Sequence, residues 1–229
     1  MMNPFRHAVA AAAFTPTDIA SLAAWWDASD ESTITDVYGS VSQWDDKSGN
    51  GRHASQGTAS LQPITGTRTI NGLNVIDFTN GDRLTTGTFG PITQPLEIWA
   101  VVQFDSSTVG YITEGLDSSN RFTTGHFSNL WVLNAGNFLD GTTTVATALH
   151  AIRALFDTTS SELWVDGASE ITGNAGSNEL DGLNIGGRYD NANWVDGRIA
   201  EILLFNDELS AGDVTDLETY LANKWGVSF

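Results

Sequence analysis

The sequence predicts an all-β protein, an antiparallel sandwich with a short helix near its start and an amphipathic helix at its end. Three observations predict it. Short runs of β-branched and aromatic residues recur along the chain, and clusters of Gly, Asn, Asp, Ser and Thr separate them. The 23 glycines stand beside only two lysines, Lys47 and Lys224. With 229 residues and 41% hydrophobic side chains, the chain has enough core-forming material for one sizeable domain. No repeat, Pro-rich linker or like-charge block divides it, so residues 15–229 are expected to form one domain behind an arm of residues 1–14.

The arm contains Arg6, His7 and an alanine-rich run over 8–13. It imitates a signal peptide only faintly, because its apolar part is short and alanine is weakly hydrophobic. It reads instead as a flexible or docking segment that orders against a partner. Thr15 then caps a brief helix, with Pro16 at its first position and Asp18 complementing the dipole; the helix is expected to end near Leu22 and Ala23. Trp25 and Trp26 follow in an extended stretch, which places their indoles on opposite faces.

Strands are predicted over 75–78, 96–104, 121–123, 130–133, 148–156, 162–165 and 199–205. Asp140-Gly141, Asp166-Gly167 and Asp181-Gly182 are expected to be turns, glycine supplying the positive φ that tight hairpins need. In the closing helix Ser210 is the N-cap and Asp213 answers it three residues later. Val214, Leu217, Tyr220, Leu221 and Trp225 share one face, Lys224 faces the C-terminal dipole, and Gly226 supplies a left-handed stop.

Charge excludes several functions. Asp+Glu is 28 against Lys+Arg 10, a formal net charge of -18. Nucleic-acid affinity comes from cations that release phosphate counterions, so no nucleic-acid partner is expected, and anionic membrane surfaces are disfavoured for the same reason. No apolar run reaches the roughly 18 residues of a membrane span. With 0 Cys there is no disulfide framework, thiolate metal site or cysteine nucleophile.

Two segments carry a family resemblance. The first is Leu22-Ala23-Ala24-Trp25-Trp26-Asp27-Ala28-Ser29-Asp30, with Val41-Ser42-Gln43-Trp44-Asp45-Asp46-Lys47-Ser48-Gly49-Asn50-Gly51-Arg52-His53-Ala54 after it. The second comprises Leu163-Trp164-Val165-Asp166-Gly167, Leu183-Asn184-Ile185-Gly186-Gly187, the 197–206 run and Glu218 to Trp225. Asn71 to Phe78, followed by Asp82-Arg83-Leu84, matches an early strand. Together these resemble a laminin-G-like, concanavalin A-like domain of the type found in bacteriophage virion and bacterial surface proteins. The resemblance runs from about residue 15 to the end. It implies a two-sheet antiparallel jelly-roll sandwich. One such sandwich serves lectins, adhesins, glycan-cleaving enzymes and inert capsid parts, so function must come from the site.

Enzymes on this fold place a pair of carboxylates along one strand, in the pattern Glu-x-Asp-x-x-Glu; nothing in the chain matches it. The arginine-, glutamine/histidine- and tyrosine-bearing lyase strands are missing too. Glu162 and Asp166 stand four apart, but Asp166 belongs to a turn. His7, His53, His126 and His150 are scattered without metal-ligand spacing. No nucleotide fingerprint is present.

Calcium is the one cofactor the pattern admits. Laminin-G-like modules often hold it at a rim, and residues 189–197 form an oxygen-rich loop in which Asp190 and Asp196 are candidate ligands, with Asp82 or Asp181 beside them. The plainer reading of this loop is an Asx-rich turn that satisfies its own backbone. For sugar stacking the candidates are Trp131, Tyr111, Tyr189 and Trp194, with Asn191 and Asn193 as hydrogen-bonding neighbours; Trp25, Trp44, Trp99, Trp164 and Trp225 fit the core instead. The expected function is a non-catalytic virion-associated display module of a bacteriophage (capsid decoration, head fibre or tail). It would attach to other virion proteins through the arm, assemble as a homo-oligomer and offer its rim to host surface glycans. A secreted or cell-surface carbohydrate-binding adhesin is the alternative.

Overall fold

Antiparallel strands and one C-terminal α-helix make up nearly all the regular structure in the computed structural model, which describes residues 13–79 and 81–229. The expected docking arm falls, up to residue 12, outside the described residues. The first strands are β1 (Leu22–Asp27), β2 (Ile34–Val37), β3 (Ser40–Trp44), β4 (Ala54–Ser55), β5 (Ile64–Ile70), β6 (Leu73–Phe78) and β7 (Leu84–Thr85). Next come β8 (Leu96–Phe104), β9 (Val109–Glu114), β10 (Thr123–Phe127), β11 (Leu130–Asn134), β12 (Phe138–Thr144) and β13 (Leu149–Phe156). β14 (Ser161–Val165), β15 (Ala168–Gly173), β16 (Asn184–Ile185), β17 (Gly197–Phe205) and α1 (Ala211–Trp225) follow.

The pairings fall into two runs. One is β1-β17-β8-β13-β14-β15, and the β5-β6 hairpin joins it at the first residues of β17. The other is β2-β3-β4-β7-β16-β9-β10-β11-β12. A bridge from Ser40 to Ile64 connects them.

Two apolar clusters explain the sequence of the central strands. One gathers Trp26, Ile98, Phe104, Phe156 and Leu204 from the first run with Trp44, Ile112, Trp131 and Ile185 from the second. The other sets Trp25, Trp99, Val101 and Leu203 against Leu217, Leu221 and Trp225 of the helix. β8 and β17 are therefore covered on both faces, which is why they read as unbroken apolar runs and not as alternating ones. Trp25 and Trp26 part to opposite clusters, as their extended spacing predicts.

The helix follows its sequence signals. Ser210 Oγ accepts the Asp213 N–H (3.2 Å) and donates to the Asp213 carboxylate (2.7 Å), and Gly226 takes φ 74°. A polar knot fixes it. Glu201, wholly buried, accepts from Trp25 Nε1, Tyr220 Oη, Lys224 Nζ and Trp225 Nε1, while Lys224 also pairs with Asp27 at 2.6 Å. Lys47 reaches the other oxygen of Asp27 at 2.8 Å, so both lysines of the chain converge on one carboxylate. Burial opposes ionisation of Asp27, yet the two ammonium groups hold its carboxyl below the usual range.

Several expectations are corrected. The N-terminal helix is a single 3-10 turn, Pro16–Asp18, because β1 already takes the chain at Leu22; its Thr15–Asp18 capping box is present. Asp140 and Gly141 lie inside β12, where no turn forms. The stretch at 121–123 enters its strand only at Thr123, since Arg121 turns to the Glu114 carboxylate. Trp164 is half-buried outside both core clusters, with the Arg153 guanidinium 4.2 Å from its ring centre. Asp166-Gly167 is the expected hairpin turn, with φ 50° and 77°. Tyr38-Gly39, Asn71-Gly72 and Ser128-Asn129 make three more two-residue turns with positive φ at both positions.

Candidate functional site

The connection from β16 to β17 lies against β9 and carries most of the candidate residues. Gly186 N–H donates to the Ile112 carbonyl and Tyr111 N–H to the Asn193 carbonyl, both at 3.0 Å. Within the loop Arg188 N–H reaches the Ala192 carbonyl (2.8 Å), Asn191 N–H the Arg188 carbonyl (3.1 Å) and Val195 N–H the Gly186 carbonyl (2.8 Å). Asn191 and Asn193 take left-handed φ of 61° and 52°, a region asparagine tolerates better than most residues.

Two arginines finish the loop. Arg83 Nη1 donates to the carbonyls of both Arg188 and Tyr189, each at 2.8 Å. Arg188 grips Asp190 with both sides of its fork (Nε to Oδ1, 2.6 Å) and stands 5.5 Å from the Tyr189 ring centre. That pair holds the Asp190 carboxyl below its ordinary range. Trp194 and Tyr189 are half-buried, Asn191 is exposed, and Trp194 Nε1 donates to Asn191 Oδ1 at 3.3 Å. The result is a braced loop that presents an indole, a phenol and amide groups at the surface. Such a set can stack on an apolar ring face and trade hydrogen bonds with hydroxyls.

The other candidates are placed differently. Tyr111 and Trp131 are each 2% exposed, so neither offers a ring face to a ligand. Trp131 packs against Phe104, His126 and His150, in the core cluster shared by the two runs. The carboxylates expected to hold calcium do not converge. Asp190 is spent on Arg188, Asp82 closes its own turn on the Thr79 N–H and hydroxyl, Asp181 receives Asn120 Nδ2 (3.0 Å), and Asp196 is exposed where β17 begins. Burial pushes the Asp82 carboxyl up. Among the described residues no group of three or more His, Asp or Glu is arranged to hold a metal ion. The positive charge this loop uses is supplied by guanidinium. Arg83 gathers two backbone carbonyls, and Arg188 neutralises the aspartate.

Sequence reasoning missed the bracing by these arginines: Arg188 lies within the loop, but Arg83 stands just before β7, 105 and 106 residues from its two carbonyl partners, and only folding brings it there. It also treated the histidines as scattered, whereas His126 and His150 both pack on Phe104 and Trp131. The buried glutamates were missed as well. Glu97 takes Arg153, Trp99 Nε1 and the Leu209 N–H; Glu114 takes Arg121, Thr123 Oγ1 and the Gly115 and Phe122 N–H groups. Both are 0% exposed with their oxygens saturated, an arrangement that braces strands.

No protein-family model and no curated protein matches the chain by sequence. Solved structures match by shape. Domain 4 of AbnA, a GH43 extracellular arabinanase from Geobacillus stearothermophilus, in complex with arabinotriose, superposes with a TM-score of 0.60 at 14% identity, covering 86% of this chain and 98% of that domain. A Trypanosoma rangeli sialidase in complex with sialic acid gives 0.60 at 16% identity over 93% of this chain, which spans 34% of that enzyme. A GH54 α-L-arabinofuranosidase soaked with a cyclic sulfate inhibitor gives 0.60 at 14% identity, covering 82% of this chain and 52% of that one. At these identities the likeness concerns the fold: a β-rich domain of a kind found in carbohydrate-active proteins.

Proposed function

We propose that the chain is a non-catalytic carbohydrate-binding module whose 186–196 loop is its recognition edge. The two strand runs, with one apolar cluster shared between them, fit the two faces of a jelly-roll sandwich. The observation that carries the reading is the braced loop, in which Tyr189 and Trp194 stay part-exposed beside the Asn191 amide while two arginines fix the backbone. Preorganised rings and amides suit a sugar, which has apolar faces and polar edges. A saccharide bound to the arabinanase domain supports the same reading. The non-catalytic part rests on the missing Glu-x-Asp-x-x-Glu strand pattern, and the buried Glu97 and Glu114, with saturated oxygens, have no capacity left for acid–base work.

Titration against a glycan array and then by calorimetry tests this. Trp194→Ala and Tyr189→Ala are each expected to weaken a bound glycan roughly tenfold. Unchanged affinity in both variants would refute the loop as the edge, and release of reducing sugar from any bound glycan would refute the non-catalytic reading.

We place the module on a bacteriophage virion, in keeping with the family its terminal segments resemble, with the arm as its attachment to other virion proteins and a homo-oligomer as its form. Removing residues 1–13 should then abolish incorporation into particles. Full incorporation of the shortened chain would refute the arm as the anchor, and absence of the unshortened chain from purified particles would favour the adhesin at a cell surface.

A further inference from the structure

A second surface of this molecule has the chemistry of a sugar site. Three connections meet beyond the ends of the strands: the β11-β12 turn, the turn after β13, and the segment after β15. They border an open surface cleft of about 390 Å³, within the size range of small-ligand pockets. Its polar wall is Asn137, Thr158, Thr159, Asn174, Ser177 and Asn178, and the remaining wall is glycine. No lining residue is charged or aromatic. In a chain of net charge -18 that is unusual. Other clefts of the molecule are lined by Glu31 and Asp36, by Asp216 and Lys224, by Arg153 and Glu218, or by Arg52.

The cleft is built, not incidental. Ala135 N–H and Asn137 N–H both donate to the Ala175 carbonyl (2.6 and 2.8 Å), Asn178 N–H donates to the Ala135 carbonyl (2.9 Å), and Ala175 N–H donates to the Thr158 carbonyl (3.2 Å). Gln94 laces the rest, accepting the Thr158 N–H at 2.6 Å and donating to the Asn178 carbonyl at 3.0 Å. Thr158 holds φ 47°, a left-handed conformation that a β-branched residue rarely adopts. Gly176, at φ 105°, leaves no room for a side chain, since an added Cβ would meet the Ala135 carbonyl oxygen at 2.2 Å.

These loops are tied mainly through their backbones. Among the described residues the hydroxyls of Thr158, Thr159 and Ser177 and the Asn174 Nδ2 make no hydrogen bond within the chain, while Asn174 Oδ1 accepts from the Gly176 N–H (2.9 Å) and from Asn137 Nδ2 (3.3 Å), and Asn178 Nδ2 donates to the Arg121 carbonyl (3.4 Å). The three hydroxyls can both donate and accept, Asn174 Nδ2 can donate and Asn137 Oδ1 can accept, a set that suits a polyol. The absence of apolar lining argues against a lipid or an aromatic peptide. The absence of a cation among the lining residues, in so acidic a chain, argues against phosphate, sulfate or a sialylated sugar.

We infer that this cleft binds a short neutral oligosaccharide through the amides of Asn137 and Asn174 and the hydroxyls of Thr158, Thr159 and Ser177. The inference rests on the carbohydrate-binding reading above and adds to it a second location and a selectivity. The test is an amide-resonance titration of the isotopically labelled full chain with three neutral trisaccharides (arabinotriose, cellotriose and maltotriose), and with a sialylated trisaccharide as comparator. At least one neutral trisaccharide is expected to shift the amides of residues 136–137, 158–159 and 174–178. The double change Asn137→Ala, Asn174→Ala should weaken it roughly fivefold or more. Ser177→Trp, at an exposed position, should block the cleft without unfolding the chain.

Shifts confined to residues 186–196 would overturn the cleft and leave the carbohydrate reading standing. Equal binding of the sialylated sugar would overturn the selectivity for neutral ligands. If neither kind of sugar shifts any amide, the carbohydrate reading falls and the cleft falls with it.

Discussion

His126 shows at the scale of one residue how little slack this core has. It is fully buried against Phe104, 4.4 Å between ring centres, and neither ring nitrogen makes a well-formed hydrogen bond, although the Ser107 backbone favours its proton. Burial, with His150 close by, lowers its pKa from 6.5 to about 4. The folded state therefore binds this proton more weakly than the unfolded chain does. The stability it preserves is whole above about pH 6.5, drains away as pH falls towards 4, and is constant below that. The full loss is about 3 kcal/mol. Urea unfolding at pH 7.5 and 4.5 checks it: His126→Leu should shrink the stability difference between the two by about 2.5 kcal/mol, since pH 4.5 still lies above the folded pKa, and an unchanged difference would remove His126 from the account. Arg83 makes the matching argument for the loop. Arg83→Ala frees two carbonyls and should cost about 1–3 kcal/mol, with faster amide exchange over 186–196. Millimolar calcium should neither rescue that variant nor raise the melting temperature of the unmodified chain; a rise of several degrees would restore calcium to the rim.

Among the elements, the hairpin of β2 and β3 makes an odd choice at its tip. Tyr38 is fully exposed, takes φ 54°, and opens a turn whose first position favours Asn, Asp or Gly. Tyr38→Asn should relieve the backbone and stabilise the protein by about 0.5–1 kcal/mol, read as a higher urea midpoint with unchanged slope. Destabilisation would mean that the ring makes a contact that matters. The same hairpin shows which elements the sequence reveals. β8 and β17 are legible because burial on both faces demands apolar runs, and α1 because its cap, stripe and glycine stop are all local. β2, β5, β12 and β15 are largely exposed and correspondingly polar, so no alternation marks them. Asp140-Gly141 misleads for that reason: in a polar strand a turn dipeptide has nothing to contradict it. The 186–196 loop was legible from its Asx and aromatic composition. Its arginine bracing was not, because Arg83 is held to Tyr189 by folding and not by proximity in the chain.

For the whole molecule the dominant unsolved force is its own charge. Each lysine and arginine of the described residues is already engaged with a carboxylate, a carbonyl or a ring, as in Arg153 with Glu97, Arg198 with Asp105 and Arg52 with the Ala23 carbonyl. Most of the 28 carboxylates meet no cation of the described residues within ion-pair distance, so they repel one another across the surface. Salt acts on these two populations unequally. The bonded pairs that sit half-buried, such as Lys224 with Glu201, are weakly screened, whereas repulsion between exposed carboxylates is screened strongly once the Debye length falls from about 30 Å at 0.01 M to about 8 Å at 0.15 M. Repulsion is greater in the compact state than in the expanded chain, so screening favours folding. The melting temperature should therefore rise across that salt range, by an amount equivalent to about 1 kcal/mol, and by less above it. The sign decides which population governs. A fall would show that the ion pairs around Asp27, Glu97 and Glu114 lose more to screening than the bare surface gains, and that the acidity of this chain is held in check by its few cations at a measurable energetic cost.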